Sequence, residues 1–89
     1  MKMATTASDV LAILRDAVAT VMEIDGATVS RDTRFVEDLG ADSLALVEIV
    51  EILEERLMPV APPGFRVEDA DLDNIATVGE AVDYAVARL

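Results

Sequence analysis

Apolar residues recur every three or four positions in three separate stretches of this 89-residue chain. The first stretch covers residues 8–24, the second residues 43–57 or 43–58, and the third residues 77–89. This spacing places the apolar side chains on one face of an α-helix. No stretch indicates a strand. We therefore predict an all-α fold whose core is formed by three amphipathic helices.

Each predicted helix begins beside a residue that can accept hydrogen bonds from the free amides of a first turn. Thr6 precedes the first helix, with Asp9 three positions later as a shortened version of the capping box. Asp42 precedes the second helix, and its short carboxylate is suited to the same role. Thr77 and Glu80 complete a capping-box pattern at the last helix.

The connections between the helices are rich in turn-forming residues. Gly26 is predicted to end the first helix, and Pro59 to stop the second. Residues 25–42 show no sustained period and are predicted to form a long ordered loop of the kind that is often functional. Its apolar residues are expected to pin it to the core: Phe35, Val36 and Leu39. A short helix near residues 69–74 completes a small four-helix bundle, with a long loop between helices 1 and 2.

Length and composition limit the possible functions. The chain is predicted to form one domain over residues 1–89, with the first five residues frayed. It has no Cys and no His, which excludes disulfides, His-based triads and zinc sites built on either residue. The net charge of −11 favours partners with basic patches and disfavours nucleic acid and anionic membranes. No stretch resembles a signal peptide or a membrane span, so we expect a cytoplasmic, soluble protein. We also expect a monomer.

Ser43 is the candidate functional residue, because it lies between Asp42 and a long apolar and acidic helix. Three interpretations are open: an ordinary first-turn residue, a catalytic serine, or an attachment point. A catalytic serine needs a base, and the chain has no His and a single Lys, Lys2. A group attached through a phosphate would face the free amides and the positive end of the helix dipole, an interaction of about 0.3–1 kcal/mol.

The segment LGADSLALVEIVEILEERL, residues 39–57, resembles the signature region of acyl carrier proteins. The resemblance extends to TRFVEDLG at residues 33–40 and IATVGEAVDYAV at residues 75–86, and so spans nearly the whole chain. It implies a small acidic four-helix bundle in which a transferase attaches 4′-phosphopantetheine to Ser43, with Asp42 helping to position the site. The arm brings its own thiol, so a chain without Cys can hold acyl groups as thioesters. The implied role is that of a carrier and not of an enzyme.

The resemblance also implies partners that dock on the second helix. These are a phosphopantetheinyl transferase and acyl-loading enzymes, ketosynthases or acyltransferases with basic patches. The matching docking residues, in addition to Asp42, are Leu44, Val47, Glu48, Glu51, Glu54 and Glu55. The alternatives are that the acidic face is merely solvated and that Leu44 belongs to the core.

The chain departs from the family pattern at two places. Ala45 stands where the family often has another acidic residue, and the connector MPVAPPGF at residues 58–65 is longer and richer in proline than in compact fatty acid carriers. A polyketide or similar specialised pathway is therefore at least as plausible as fatty acid synthesis. The Asp before Ser43 favours an acyl carrier over a peptidyl carrier.

Two further features allow alternative interpretations. Residues 69–80 carry carboxylates at the spacing of a calcium-binding loop, although Asn74 replaces the usual Gly, so an unmodified acidic helical interaction or calcium-binding module is the alternative function. The apolar interior is predicted to be either ordinary core or a space for part of an acyl chain. The candidate lining residues are Leu46, Val50, Leu53, Phe65, Ile75 and Val82.

Overall fold

The computed structural model describes residues 6–89 and confirms the predicted all-α bundle of three longer helices and one short helix. The expected fraying of residues 1–5 lies outside the described residues. The helices are α1 (Ala7–Met22), α2 (Ser43–Leu57), α3 (Asp69–Leu72) and α4 (Val78–Arg88), with a single turn of 3₁₀ helix at Gly26–Thr28. Within residues 6–89 the backbone forms no strand, and a single isolated antiparallel bridge joins Arg34 to Thr77.

The helices begin where their capping residues predicted. The Asp9 amide donates to Thr6 Oγ1 at 3.2 Å, and the Thr6 amide donates to the Asp9 carboxylate at 3.1 Å. Thr77 and Glu80 form the same reciprocal pair at α4, with distances of 3.1 and 3.0 Å. Asp42 caps α2. All three predicted starts are confirmed. They could be predicted because each capping side chain bonds to an amide only three positions later in the sequence.

The predicted end of α1 is wrong. The helix stops at Met22 because Glu23 adopts a left-handed conformation (φ 55°, ψ 48°), and its amide donates to the carbonyl of Ala19. Gly26 therefore does not end the helix but opens the 3₁₀ turn. The turn returns the chain to α1, where the Arg15 side chain donates to the carbonyl of Gly26 at 3.2 Å.

Helix α1 is central to the core, packing against both α2 and α4. Apolar side chains on its inward face are buried, and so are apolar side chains that α2 and α4 contribute to the core. The largest of these buried side chains are Val10, Leu14, Val18, Ile49, Leu53, Leu57, Val78 and Val82. The core is therefore the meeting of three amphipathic faces, as the helical periodicity predicted.

The long loop between α1 and α2 is tied to the start of α4. The Phe35 amide donates to the carbonyl of Ala76 at 3.0 Å, and the amides of Val78 and Gly79 donate to carbonyls of the loop at 2.9 and 2.8 Å. Arg31 adds an ion pair in which one guanidinium nitrogen lies 3.0 Å from both carboxylate oxygens of Asp83. Helix α4 therefore holds the segment that leads to Ser43.

Two apolar residues do not take the positions that the sequence predicted. Phe35 is buried and Leu39 half-buried, but Val36 is 64% exposed, so it does not pin the loop to the core. The prediction failed because Phe35 and Val36 are neighbours in a turn, which directs only one of them inward. Leu89 lies just beyond the end of α4 and is exposed instead of completing its apolar face.

Candidate functional site

Ser43 is the first residue of α2, and its side chain is exposed. The preceding Asp42 is the N-cap, and its Oδ1 accepts a hydrogen bond from the Ala45 amide at 2.8 Å. Asp42 is thus occupied in holding the first turn of the helix. The Ser43 hydroxyl lies where the remaining free amides of the turn can bind an anion.

The loop before Ser43 is fixed by a local charge cluster. The Arg34 guanidinium pairs with Glu37 and with Asp38, the latter at 3.0 Å, and the Arg34 amide donates to Asp38 Oδ2 at 2.8 Å. These hydrogen bonds lower the pKa of Asp38 below its ordinary value, and the same carboxylates raise the pKa of Arg34. The Asp38 carboxylate therefore stabilises the turn while it is ionised.

The backbone of the two residues Gly40 and Ala41 also helps to fix the position of Ser43. Gly40 has φ 68°, a conformation that a residue without Cβ adopts at little cost. The next residue, Ala41, is buried, and its amide donates to the carbonyl of Phe35 at 2.9 Å. Ala41 thus anchors the chain two residues before Ser43, and the serine projects outward from a held position.

A groove of about 520 Å³ begins at Ser43. It runs between the Arg34 loop, the start of α2 and the segment 72–76. Val36 lines this groove and is 64% exposed, and on α2 itself Leu44 is 66% and Val47 37% exposed. Leu44 is therefore not a core residue. Val36 was missed because its sequence position suggested a core anchor.

The acidic residues of α2 fall into two groups. Glu48, Glu51 and Glu55 are exposed and follow one another at helical steps, so they form a single acidic face. Glu54 differs, because it is half-buried and its Oε2 accepts a hydrogen bond from the Val67 amide at 2.7 Å. Arg56, the basic residue of α2, points instead towards Asp16 of α1 at 3.8 Å.

The interior is closely packed. The predicted lining residues Leu46, Val50, Leu53 and Ile75 do border an apolar cleft, whereas Phe65 and Val82 do not. Its free volume is about 10 Å³. That volume is about the space of one water molecule, so this conformation has no room for an acyl chain.

Two carboxylates of the segment with calcium-loop spacing, those of Asp71 and Glu80, bond to other groups of the chain. Asp71 accepts a hydrogen bond from the Tyr84 hydroxyl at 2.5 Å and lies 3.7 Å from Arg88, and Glu80 caps α4. Burial raises the pKa of the Tyr84 hydroxyl, and its hydrogen bond to Asp71 raises it further. Among the side chains that the structure describes, which exclude Asp69, no three acidic residues converge on a metal site.

None of the helices within residues 6–89 has the length and apolar character needed to span a membrane.

The comparisons with known proteins agree with this geometry. The family model described as the phosphopantetheine attachment site matches residues 12–85, which places the chain in the class of proteins that carry this arm. The chain is 32% identical over 81 residues to an acyl carrier protein of Thermotoga maritima, covering 91% of this chain and 93% of that protein. It also superposes on the solved structure of the acyl carrier protein from Enterococcus faecalis with a TM-score of 0.72, at 30% identity, over 96% of this chain and all of that one.

The chain therefore belongs to the acyl carrier protein family. Its members carry covalently attached 4′-phosphopantetheine and are carriers rather than catalysts. The residues around Ser43 fit such a group, because they offer an exposed hydroxyl, helix-end amides and an adjoining groove. The predicted family, fold class and cofactor are confirmed.

Proposed function

We propose that Ser43 is the attachment residue and that the chain carries acyl groups to biosynthetic enzymes on its arm. The observation that carries this proposal is the exposed hydroxyl at the first position of α2, held in place by the Asp42 cap. When bound, the phosphopantetheine supplies a thiol that forms thioesters, which a chain without Cys lacks.

The residues around Ser43 have separate roles in this proposal. Asp42 fixes the first turn through the Ala45 amide, which leaves the amides of Ser43 and Leu44 to face the phosphate. Such an anion at an exposed helix end is stabilised by about 0.3–1 kcal/mol. The groove beside Ser43 gives the arm a surface to lie on between transfers.

The partners are a phosphopantetheinyl transferase and acyl-loading or condensing enzymes with basic patches. We assign their docking to two neighbouring surfaces of α2 and its preceding loop. Val36, Leu44 and Val47 provide apolar contacts close to Ser43, and Glu48, Glu51 and Glu55 provide the charged face. We infer that the chain acts in the cytoplasm as a monomer and catalyses no reaction itself.

Intact mass spectrometry after coexpression with a broad-specificity phosphopantetheinyl transferase tests the attachment. The wild-type chain should gain the mass of one arm, and Ser43→Ala should gain none. Ser30→Ala is the matched control, because Ser30 is also an exposed serine but lies in the loop far from α2 in sequence. A gain that survives Ser43→Ala would refute the assignment, as would the absence of a gain in the wild type.

A further inference from the structure

Arg34 lines the groove that begins at Ser43, which we call the Ser43 groove. Among the described residues that line it, Arg34 is the one with a positive charge. The two walls are joined beside it, because the Phe35 amide donates to the carbonyl of Ala76 at 3.0 Å and Arg34 forms the backbone bridge to Thr77. The shape of the groove around Arg34 is therefore fixed before any ligand binds.

The guanidinium of Arg34 is held in place by two carboxylates. Its Nε donates to Asp38 Oδ2 at 3.3 Å, one terminal nitrogen donates to Asp38 Oδ1 at 3.0 Å, and the other donates to Glu37. Within the described residues, three of its five N–H groups thus have acceptors, which leaves one N–H on each terminal nitrogen. The side chain is 51% exposed, so a ligand in the groove can reach it.

The stability of the loop accounts for only part of this arrangement. The Arg34 amide donates to the Asp38 carboxylate at 2.8 Å, and the Asp38 amide donates to the carbonyl of Arg34 at 3.0 Å. These bonds hold the turn without the guanidinium, and exposed ion pairs add little stability of their own. The two carboxylates do, however, orient a long side chain that is otherwise flexible.

The charges around Arg34 determine which kind of acceptor suits its remaining N–H groups. Glu37 and Asp38 already balance the charge of the guanidinium, and Asp42 and Asp73 also line the groove. These carboxylates would repel a further anion. A neutral carbonyl oxygen accepts a hydrogen bond and adds no charge, so it is the acceptor that fits this position.

The rest of the groove lining is largely apolar. Leu46, Leu72 and Ile75 are half-buried, and Val36 is exposed. A ligand that matches this lining has carbonyl groups for the oriented donor and branched methyl groups for the apolar surface. 4′-Phosphopantetheine has both, because it contains two amides and a carbon that carries two methyl groups.

We propose that Arg34 holds the resting arm in the Ser43 groove by donating a hydrogen bond to an amide carbonyl of the arm. This inference rests on the proposed function, because the arm must be attached to Ser43. Since Glu37 and Asp38 orient the guanidinium beforehand, the bond costs little side-chain entropy. Arg34 is a positioning residue, and it sets the fraction of time for which the arm is free to enter a partner enzyme.

NMR spectroscopy of the chain with and without its arm tests this role. The samples are first checked by intact mass, and the shift differences at the amides of Val36, Ile75 and Ala76 then report the docked fraction. Arg34→Met keeps an aliphatic side chain and removes every donor. It should lower the ratio of docked to free arm about 2- to 10-fold, as expected for the loss of one hydrogen bond. NOEs between the methyl groups of the arm and the Ile75 side chain should weaken in parallel.

Two control variants separate holding of the arm from support of the loop. Arg31→Met removes another exposed arginine of the same loop, which pairs with Asp83 outside the groove, and it should leave the docked ratio unchanged. Glu37→Gln removes an ion pair from the loop and releases an N–H of Arg34, so it should not lower the docked ratio. If Arg34 served only to fix the loop, Glu37→Gln would change docking in the same direction as Arg34→Met.

The possible outcomes keep this inference and the proposed function distinguishable. The role of Arg34 is overturned if the arm causes no shift differences at Ile75 and Ala76, or if Arg34→Met docks the arm as well as the wild type. It is also overturned if either control lowers docking as much as Arg34→Met. A chain that gains one arm at Ser43 without docking it refutes the role of Arg34 alone. A chain that gains no arm refutes the proposed function and this inference with it.

Discussion

Replacing Tyr84 by Phe should weaken the attachment of α3 to α4. The Tyr84 hydroxyl donates to Asp71 at 2.5 Å and accepts from the Glu68 amide at 3.3 Å, while Arg88 lies 3.6 Å from the centre of the ring. Helix α3 has four residues and no side-chain cap at its start, so these contacts to α4 are important for its position. Phe retains the ring and removes the hydroxyl.

The magnitude follows from the partners of the hydroxyl. A hydrogen bond to a charged group contributes about 1.5–3 kcal/mol. Asp71 is 37% exposed, so water replaces part of that interaction in the variant. The Glu68 bond is long and exposed, and its loss costs little. We expect the free energy of unfolding to fall by about 1–1.5 kcal/mol, with a melting temperature lower by about 4–8 °C for each kcal/mol.

Urea denaturation followed by circular dichroism measures this change, and hydrogen exchange locates it. The amides of Asp71 and Asn74, which bond within the α3 segment at 2.9 and 3.0 Å, should exchange faster relative to the core amide of Leu53. Asp71→Ala should cost a similar amount. The double variant should cost much less than the sum of the single changes. Additive losses, or a Tyr84→Phe variant as stable as the wild type, would refute the reasoning.

Two further predictions concern the core and the loop before Ser43. Leu53→Ala should lower the free energy of unfolding by about 2–5 kcal/mol in urea, because Leu53 is fully buried and leaves a cavity; a loss below 1 kcal/mol would mean that the core readily collapses around the site. Because Arg34 lowers the pKa of Asp38 below its ordinary 3.8, ionised Asp38 stabilises the fold above that value, and the effect is lost as pH falls through the lower folded pKa. The urea midpoints of wild type and Asp38→Asn should therefore differ at pH 6 and converge as the pH falls below 3.8, and a constant difference would contradict the assigned cause.

The features predicted correctly are those set by short-range sequence. Helical periodicity and capping residues three positions apart are properties of a single segment, so the helices and their starts could be predicted before any packing was known. Asp42 and Ser43 belong to this group. Their relation to α2 depends on the first turn alone, and the structure retains it.

The features that were missed depend on contacts between distant segments. Glu54 could not be separated from its acidic neighbours because its partner, Val67, lies 13 residues away. The propensity of glycine for helix ends suggested Gly26 as the end of α1, whereas Glu23 takes the left-handed conformation there and the Gly26 carbonyl accepts a hydrogen bond from Arg15, 11 residues away. The need for glycine at position 79 could not be predicted for the same reason. A Cβ there would lie 3.0 Å from the carbonyl oxygen of Arg31, which belongs to a distant loop.

The bonds between the long loop and α4 have a practical consequence for anyone recombining this protein with others. A chimaera that joins foreign sequence upstream of Asp83 would keep Ser43 and every neighbour of it along the chain. It would nevertheless replace the carboxylate that pairs with Arg31, and a join before Thr77 would also replace Gly79, where a Cβ would lie 3.0 Å from the Arg31 carbonyl oxygen. Splice points should therefore spare the whole of α4, because this helix bonds to the loop that leads to Ser43.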